Sequence, residues 1–500
     1  MKKHAAKLLP FFLILLFTAL IFTSCFKDEP KIEDLPEEER AAAVFAKTNE
    51  QMEKVKSFKT EEKLSFDFTL ENQKILIEFL STIYATDKNS GNYAETSEYE
   101  YNFYLNGIKK ESNTTTEGFR DGVMFFSSVE GINKSSLKSE ITLEDYKKHI
   151  EDMNAKNNVP DFDKFFSTAK TTSAEKQEDG SWVATFTDPS EESLENFTEY
   201  FKSITELMGE DIEITNVSAT FSVTSLFLVD KIELNVILDS ESIGGTVPLS
   251  ASSKSSGAPS ITLISEYFNY DSAEQPNNIN LDKYTDVPDL RKLFEINYSL
   301  GELINKTKGS FSSNIKHTVS ALGETNIYRE KDICEYGNLT GGFSYELFNE
   351  SSGKNYIIAY DDGKQTVSYI ENGVEEELQK VDSTDLEQKQ FIESMLDEGN
   401  FSIYNVSSFT KKEKQGNVIY TFDSIAPNQE IVDSVISSLN LIDYTGTETI
   451  SIELDANGNV VKYTYDVSLT IEARSYYTIY TITYDIEVEC AYGTILSDVQ

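Results

Sequence analysis

Side chains able to act in acid–base catalysis are few in this chain of 500 residues. It contains three histidines, and only His149 and His317 lie beyond the first 25 residues. His149 follows two lysines, a context typical of a solvated helix face rather than of a general base. The GxSxG nucleophile turn, the GxxxxGK phosphate loop and the HExxH metal pair are also absent from the sequence. We therefore predict a protein that is not an enzyme.

Carboxylates are so abundant, with 85 Asp and Glu residues, that close pairs of acids arise by chance. Asp161 and Asp163 flank one phenylalanine, but nothing in the sequence sets the separation that a glycosidase pair requires. The run 455–459 (DANGN) resembles a calcium loop only in part, because its glycine is misplaced and no bidentate glutamate follows at the twelfth position. We expect a hairpin turn there and predict no metal site and no cofactor.

Cys25 has the most specific chemistry in the chain. Before it lie three lysines within the first seven residues, an apolar run over residues 8–22 and a short polar segment. This arrangement resembles a bacterial lipobox, in which signal peptidase cleaves before the cysteine and the thiol receives a diacylglyceryl group. An uncleaved transmembrane anchor is the alternative, but the apolar run is short for a membrane span. We predict a signal peptide over residues 1–24 and lipidation at Cys25, which places the protein outside the cytoplasm on the bacterial cell membrane.

Two further cysteines, Cys334 and Cys490, are too few for a disulfide framework and lack the spacing of a zinc site. They are able to pair with each other in an extracytoplasmic compartment. Cys490 also continues a series of alternating apolar residues over 480–488, which favours a buried thiol. The sequence leaves both alternatives open.

The charge of the chain excludes several classes of partner. A formal net charge of −41 repels nucleic acid and anionic lipid head groups. Hydrophobic residues make up 39% of the chain and aromatic residues 12%, which is enough for packed cores, so the acidity does not indicate disorder. We predict a folded monomer that contacts the membrane through lipidated Cys25 and does not bind nucleic acid.

The chain after the signal peptide is predicted to be an acidic tether followed by two copies of one domain. Residues 25–40 are rich in acids and contain two prolines, which favours an extended linker. Residues 180–186 then match 416–422 at an offset of 236, and Lys231 matches Lys462 at an offset of 231. Several short matches in one order are typical of a repeat. The predicted domains span residues 41–285 and 286–500.

Alternation of apolar and polar residues predicts most of the strands. Leu64 and Phe66 alternate with polar residues, and so do the apolar residues of 461–471. Such strands have one apolar and one solvated face, which is typical of an antiparallel sheet covered on one side. Asn106-Gly107 and Asn457-Gly458 predict tight hairpin turns in which both residues have positive φ.

Each copy is also predicted to contain about three amphipathic helices. Thr142, with an acid three residues later, indicates one helix start. Asp188, followed by a proline, indicates another, with the aspartate as cap. The apolar pattern predicts a helix at the start of each copy, over residues 36–56 and 288–308.

This order of elements resembles the LolA/LppX-type lipoprotein superfamily, here in tandem. The features that carry the resemblance are the lipobox, the first helix, Ser57-Phe58 and Ser310-Phe311 at strand starts, the hairpins, the inserted helices and the long closing strands. The resemblance implies an α+β fold with two curved antiparallel half-barrels and helices on the concave face. It also implies an apolar space between sheet and helices that holds acyl chains.

Two functions of different class remain open. In the first, the protein is a non-enzymatic binding module that holds an apolar ligand, of acyl-chain or lipoprotein type, between sheet and helices. In the second, it is a structural or protein-interaction lipoprotein of the cell surface, with filled cores and no small-molecule ligand. The same apolar stripes point inward in both, so no ligand-contacting residue is assigned.

Overall fold

The computed structural model describes residues 31–70, 73–88, 90–130, 133–156, 165–166, 168–207, 214–238, 260–301, 309–322, 324–336, 343–349, 354–361, 363–371, 374–384, 401–426, 432, 440–475 and 478–492. The chain divides into two compact units. The first comprises Met1–Ile132 and Lys138–Tyr284, and the second comprises Asn133–Leu137 and Thr285–Gln500. The boundary after Tyr284 lies one residue from the predicted domain boundary.

Most of the described residues lie in strands. The first sheet contains β1 (Phe58–Leu70), β2 (Gln73–Thr86), β3 (Ala94–Leu105), β4 (Ile108–Arg120), β5 (Val123–Glu130), β6 (Asn133–Glu140), β7 (Thr171–Lys176), β8 (Trp182–Thr187), β9 (Ile214–Val223), β10 (Val229–Leu238) and β11 (Ser260–Phe268). Its helices are α1 (Glu37–Lys54), α2 (Leu143–Lys156) and α3 (Glu191–Leu207).

The second unit begins with the two-residue strand β12 (Thr285–Asp286) and the helix α4 (Leu290–Gly301). Its sheet contains β13 (Gly309–Ala321), β14 (Glu324–Tyr336), β15 (Phe343–Asn349), β16 (Lys354–Asp361), β17 (Lys364–Glu371), β18 (Val374–Asp382), β19 (Val406–Lys414), β20 (Asn417–Ser424), β21 (Asn440–Leu454), β22 (Val460–Ser475) and β23 (Thr478–Tyr492). Sheets and helices together give an α+β protein in which sheet predominates.

The two sheets have the same strand order. Apart from the two-residue strand β12, which lies at the edge of the first sheet beside β6, the first runs β6-β5-β4-β3-β2-β1-β11-β10-β9-β8-β7, and the second runs β18-β17-β16-β15-β14-β13-β23-β22-β21-β20-β19. Neighbouring strands pair antiparallel wherever the register is described. In each sheet the first strand of the chain therefore pairs with the last, between β1 and β11 and between β13 and β23.

The register of the strands is also shared. In the first sheet a row across three strands contains Ala184, Phe221 and Ile232. In the second sheet the corresponding row contains Tyr420, Ile452 and Tyr463. Ala184 and Tyr420 are 236 residues apart, and Ile232 and Tyr463 are 231 apart. The two sequence matches therefore occupy equivalent rows, whereas the duplication and the half-barrel curvature stay predictions.

The predicted alternation is confirmed in both sheets. Leu64 and Phe66 of β1 are buried, and their neighbours Lys63 and Ser65 are more exposed. Along β22 every second residue is buried: Tyr463, Tyr465, Val467, Leu469 and Ile471. At the turn between β3 and β4, Asn106 and Gly107 both have positive φ, of 52° and 77°. The prediction for Asn457-Gly458 is half wrong, because in that turn only the glycine has positive φ.

The helix starts follow the sequence signals with one correction. The Thr142 hydroxyl accepts the backbone N–H of Asp145 at 3.1 Å and donates to its carboxylate at 2.7 Å, as predicted. Helix α3, however, is capped by Ser190, whose Oγ accepts the N–H of Ser193 at 3.2 Å. Asp188 is not the cap, because its φ of 55° turns the chain before the helix and its carboxylate accepts the Thr171 hydroxyl.

The prediction of an extended tether over residues 25–40 is wrong for its second half. Ile32–Asp34 form a turn of 3-10 helix, and Ile32 is buried. Glu33 forms an ion pair with Lys176, and Arg40 donates to the carbonyl oxygen of Leu35 at 3.0 Å. Burial of one apolar residue and these contacts hold the acidic segment against the first unit.

Candidate functional site

Several residues that the sequence singled out lie outside the described residues. These are Cys25, with the signal peptide over 1–24, and the pair Asp161 and Asp163. Lipidation at Cys25 therefore stays a prediction. The prediction for His149 is wrong: its side chain is buried, because it lies on the same helix face as Tyr146 and Met153.

The strand register separates the two remaining cysteines. Cys334 on β14 pairs with Phe311 of β13, and Cys490 on β23 pairs with Ser313 of β13. A whole strand lies between them, so their Cα atoms are about 10 Å apart at least, beyond the reach of a disulfide. Cys490 is a buried thiol, and the disulfide alternative is wrong.

In the turn at 455–459, the Asp455 carboxylate accepts hydrogen bonds from the backbone. Asp455 accepts the N–H groups of Asn457 and Asn459 at 2.8 and 2.9 Å. Hydrogen bonds from the Asn459 side chain and backbone lower the pKa of Asp455. Across the described ranges, no group of three or more His, Cys, Asp or Glu residues is placed to hold a metal ion. In the same part of the chain, no helix combines the length and hydrophobicity of a membrane span.

One face of the first sheet is covered by helices and aromatic rings. The Phe45 ring of α1 contacts Phe166, Phe186 and Phe221, with ring centroids 4.8 to 6.4 Å apart. Phe186 and Phe221 belong to β8 and β9, and both are buried. Under α1 the space between helix and sheet is thus filled by rings that pack edge to face or tilted.

The same face is polar further along the sheet. A single cross-strand row runs through β11, β1, β2, β3, β4 and β5. Its members are Ser265, Glu62, Ser81, Tyr99, Thr115 and Ser128. Ser265 pairs with Ile232 of β10, and Ile232 pairs with Phe221 of β9. Paired residues point to the same face of a sheet, so these six residues lie on the face that the helices cover. We call these six residues the polar row.

Glu62 is the central acid of the polar row, and only 7% of its surface is exposed. Ser81 donates a hydrogen bond to Glu62 Oε2 at 3.0 Å. Glu62 Oε1 has no hydrogen-bond partner. Burial raises the pKa of Glu62 to about 7, although the nearby Ser81 and Ser265 hydroxyls oppose this change. The acid therefore changes charge near neutral pH.

Three further hydroxyl groups on the same face as Glu62 are also buried. Ser265 lies directly across from Glu62 on β11, Thr60 lies two residues before it on β1, and Thr115 belongs to the polar row. All three side chains are at most 2% exposed. The Thr60 and Thr115 oxygens have no hydrogen-bond partner among the described residues, whereas the Ser265 hydroxyl is close enough to Glu62 to lower the pKa of its carboxyl group. Buried polar atoms are nearly always paired in folded proteins, so the unpaired atoms on this face make the surroundings of Glu62 the candidate place for a polar group to bind.

Tyrosines and further acids surround this position. Burial raises the pKa of Tyr200 on α3 and of Tyr267 on β11, and the charge of Glu62 raises both further. Glu95 on β3 accepts hydrogen bonds from Tyr93 and from Tyr146 of α2. Burial raises the pKa of Glu95 as well. The covered face thus contains carboxyl groups that favour the protonated form.

The opposite face of the sheet carries an open groove of about 690 Å³. Its lining comprises two cross-strand rows on β11, β1, β2, β3 and β4, together with four residues of the polar row between them: Glu62, Ser81, Tyr99 and Thr115. These rows comprise Glu266, Glu61, Thr82, Glu98 and Thr116, and Ile264, Lys63, Leu80, Glu100 and Thr114. Glu61 and Glu100 form ion pairs with Lys59 and Lys109, so these charges are satisfied at the surface.

Sequence reasoning did not identify the polar row. A signal for Glu62 was present, because it is in phase with Leu64 and Phe66, the apolar side of β1. No signal placed Ser81 and Ser265 beside it, because that contact depends on the pairing of β1 with β2 and β11.

No protein-family model and no curated protein matches the chain. It is similar to a candidate outer membrane lipoprotein-sorting protein domain from Vibrio parahaemolyticus, with 8% identity over 41% of this chain and 94% of that chain and a TM-score of 0.16. It is also similar to a DUF1329 family protein from Desulfovibrio piger, with 10% identity over 42% of this chain and 96% of that chain and a TM-score of 0.17. A third similar structure is a LolA superfamily protein from Nitrosomonas europaea, with 9% identity over 39% of this chain and 90% of that chain and a TM-score of 0.14. TM-scores at this level do not establish a common fold.

Proposed function

We propose that the protein is a membrane-anchored extracytoplasmic lipoprotein that acts by binding and not by catalysis. Its first unit holds an apolar ligand of acyl-chain type between the sheet and the helices. Lipidation at Cys25 keeps the protein at the membrane, where such ligands are found, and the acidic surface keeps the folded part away from anionic head groups.

The observation that carries this proposal is the polar row inside a helix-covered sheet face. A core that serves only for stability gains nothing from buried hydroxyls and a carboxyl oxygen without hydrogen-bond partners. In a ligand site, the same groups orient the polar end of a ligand whose apolar part contacts the surrounding rings and aliphatic side chains.

The test is to look for bound lipid in the full chain purified from bacterial membranes. We expect native mass spectrometry to detect a noncovalent acyl ligand in addition to the mass attached at Cys25. The purified protein should also take up a fluorescent fatty-acyl probe. Absence of both bound lipid and probe uptake would contradict the binding function.

A second candidate function is a cell-surface interaction or structural protein without a ligand. The aromatic cluster of Phe45, Phe166, Phe186 and Phe221 favours it, because these rings fill the space under α1. This function is supported if the purified protein contains no lipid and a specific protein partner is recovered with it in a pull-down from membranes.

Anchoring is tested separately with Cys25→Ser. The variant loses the thiol that carries the diacylglyceryl group, and a single acyl chain already contributes about 0.8 kcal/mol per buried methylene. We expect the wild-type protein in the membrane fraction and the variant outside it. Cys334→Ser is the matched control and should leave the distribution unchanged.

A further inference from the structure

We infer that the first unit selects ligands whose polar end is an ammonium group, bound at Glu62 with the hydroxyls of Ser265 and Thr60 beside it. The inference rests on the proposed function, because it names the chemistry of the ligand's polar end at the helix-covered face of the first sheet. Three observations support it: the acid has no cationic partner among the described residues, the Thr60 hydroxyl near it has no hydrogen-bond partner, and tyrosine side chains lie close to it.

The electrostatic surroundings of Glu62 favour a cation. Its contacts are hydroxyl groups, and within the described part of the chain no lysine or arginine lies close enough to lower its pKa. An ionised carboxylate buried without a positive charge is unfavourable, and a ligand ammonium supplies the missing charge and donates hydrogen bonds. The net charge of −41 raises the local concentration of cationic ligands and lowers that of anionic ones.

The tyrosines add to this preference. Tyr99, Tyr200 and Tyr267 are close enough to Glu62 for its charge to raise their pKa values, after burial as the larger cause. Aromatic faces attract ammonium groups, and more strongly in a desolvated site than at the surface. A carboxylate, hydroxyls and aromatic rings together suit an ammonium better than a phosphate, sulfate or carboxylate.

Binding should then depend on pH, because Glu62 must be ionised to attract the ammonium. The titratable groups on which its charge acts are Tyr267 from β11, Tyr99 from β3 and Tyr200 from α3. Glu95 from β3 and Glu117 from β4 lie on the same face of the sheet. The tyrosines stay protonated across neutral pH, because burial raises their pKa values. Glu95 and Glu117 remain in a Glu62 variant, so any pH dependence left in that variant belongs to them.

The experiment measures binding of decylammonium, decanol and decanoate to the full chain by titration calorimetry. These ligands share one apolar chain and differ only at the polar end. We expect decylammonium to bind most tightly and its affinity to rise from pH 5.5 to pH 8.5. Glu62→Gln should weaken decylammonium binding about tenfold or more, because hydrogen bonds to a charged group are among the strongest, and should leave decanol binding unchanged.

Glu61→Gln is the matched control, since it changes the adjacent residue on the opposite face of the same strand and removes the same charge. We expect it to leave all three affinities unchanged. A loss of binding in Glu61→Gln but not in Glu62→Gln would place the ligand in the open groove and overturn the inference. Ser81→Ala serves as a second variant, because loss of its hydrogen bond raises the pKa of Glu62 and should move the pH midpoint of binding upward.

The binding titrations distinguish a failure of the proposed function from a failure of this inference. If none of the three ligands binds, the proposed binding function fails. If all three ligands bind equally well and Glu62→Gln leaves their affinities unchanged, the first unit binds apolar chains without selecting an ammonium group. In that case only this inference fails.

Discussion

The two sheets have the same strand order and the same register, but the rows on their equivalent faces differ. In the first sheet one row contains Ile232, Ser265, Glu62 and Ser81. The equivalent positions of the second sheet are Tyr463, Cys490, Ser313 and Asp332. The backbone hydrogen bonding fixes which residues are neighbours, while side-chain identity decides whether the row is a packed core or a polar site.

Bulky side chains distinguish the second row most clearly. Tyr463 is fully buried where the first sheet has Ile232, and Tyr465 is 2% exposed where the first sheet has Leu234. Aromatic rings thus occupy positions in the second sheet where the first sheet has smaller aliphatic side chains. Equivalent rows of the two sheets therefore differ in side-chain size and polarity although their strand pairing is the same.

The largest expected effect comes from a matched pair of core truncations. Phe186 and Phe422 occupy equivalent positions, and each is at most 1% exposed. Phe186→Ala and Phe422→Ala should each lower the free energy of unfolding by about 3–5 kcal/mol, because each leaves a cavity among aromatic rings. The single tryptophan, Trp182, lies in β8, so its fluorescence reports on the first sheet.

Denaturant titrations followed by tryptophan fluorescence and by circular dichroism then distinguish the two cores. Phe186→Ala should shift the fluorescence transition, and Phe422→Ala should shift only a transition seen by circular dichroism. Leu226→Ala and Leu322→Ala are the controls, because these side chains are 71% and 78% exposed. Equal shifts of the fluorescence transition by both phenylalanine variants would show one cooperative core and break the comparison.

The next effect is the pH dependence that Glu62 gives to the first unit. Its pKa rises from 4.5 to about 7 on folding, so the folded state holds a proton that the unfolded chain releases between these values. Stability from this group is therefore fully present below pH 4.5 and is lost as the pH rises through 7. Relative to Glu62→Gln, the wild type should lose about 3 kcal/mol of unfolding free energy between pH 4.5 and pH 7.5.

Unfolding free energies of both proteins from urea titrations at several pH values check this result. Glu61→Gln is again the control and should run parallel to the wild type, because its carboxylate is exposed on the other face. A constant difference between wild type and Glu62→Gln across the pH range would mean that Glu62 is ionised throughout, and that the polar row is not a low-dielectric site.

Much of the fold could be predicted from local patterns, and the site could not. Alternation in β1 and β22, the Asn106-Gly107 turn and the Thr142 cap depend on residues close in sequence, whose spacing determines backbone geometry. The polar row depends on strand pairing between residues that are far apart in the sequence. Glu62 pairs with Ser81, 19 residues later, and with Ser265, 203 residues later. A glutamate in phase with an apolar face is assumed to be exposed until its neighbours are known.

His149 was mispredicted for a related reason. Its flanking lysines indicated a solvated face, yet helical periodicity places it three residues after Tyr146 and four before Met153, both buried. Whether a polar residue within an apolar stripe is buried depends on the residues that pack against that stripe. The charge of its neighbours in the sequence does not indicate which residues these are.

The smallest expected effect compares two buried tyrosine hydroxyls. Tyr93 in the first unit donates to Glu95, whereas the Tyr463 hydroxyl in the second unit has no hydrogen-bond partner. Tyr93→Phe should lower the free energy of unfolding by about 1–2 kcal/mol, because the carboxyl loses a donor, and Tyr463→Phe should leave it unchanged or raise it by up to about 1 kcal/mol. Thermal unfolding of both variants measures this. If Tyr463→Phe destabilises the protein as much as Tyr93→Phe does, the hydroxyl of the second unit has a polar partner after all, and this contrast between the two units fails.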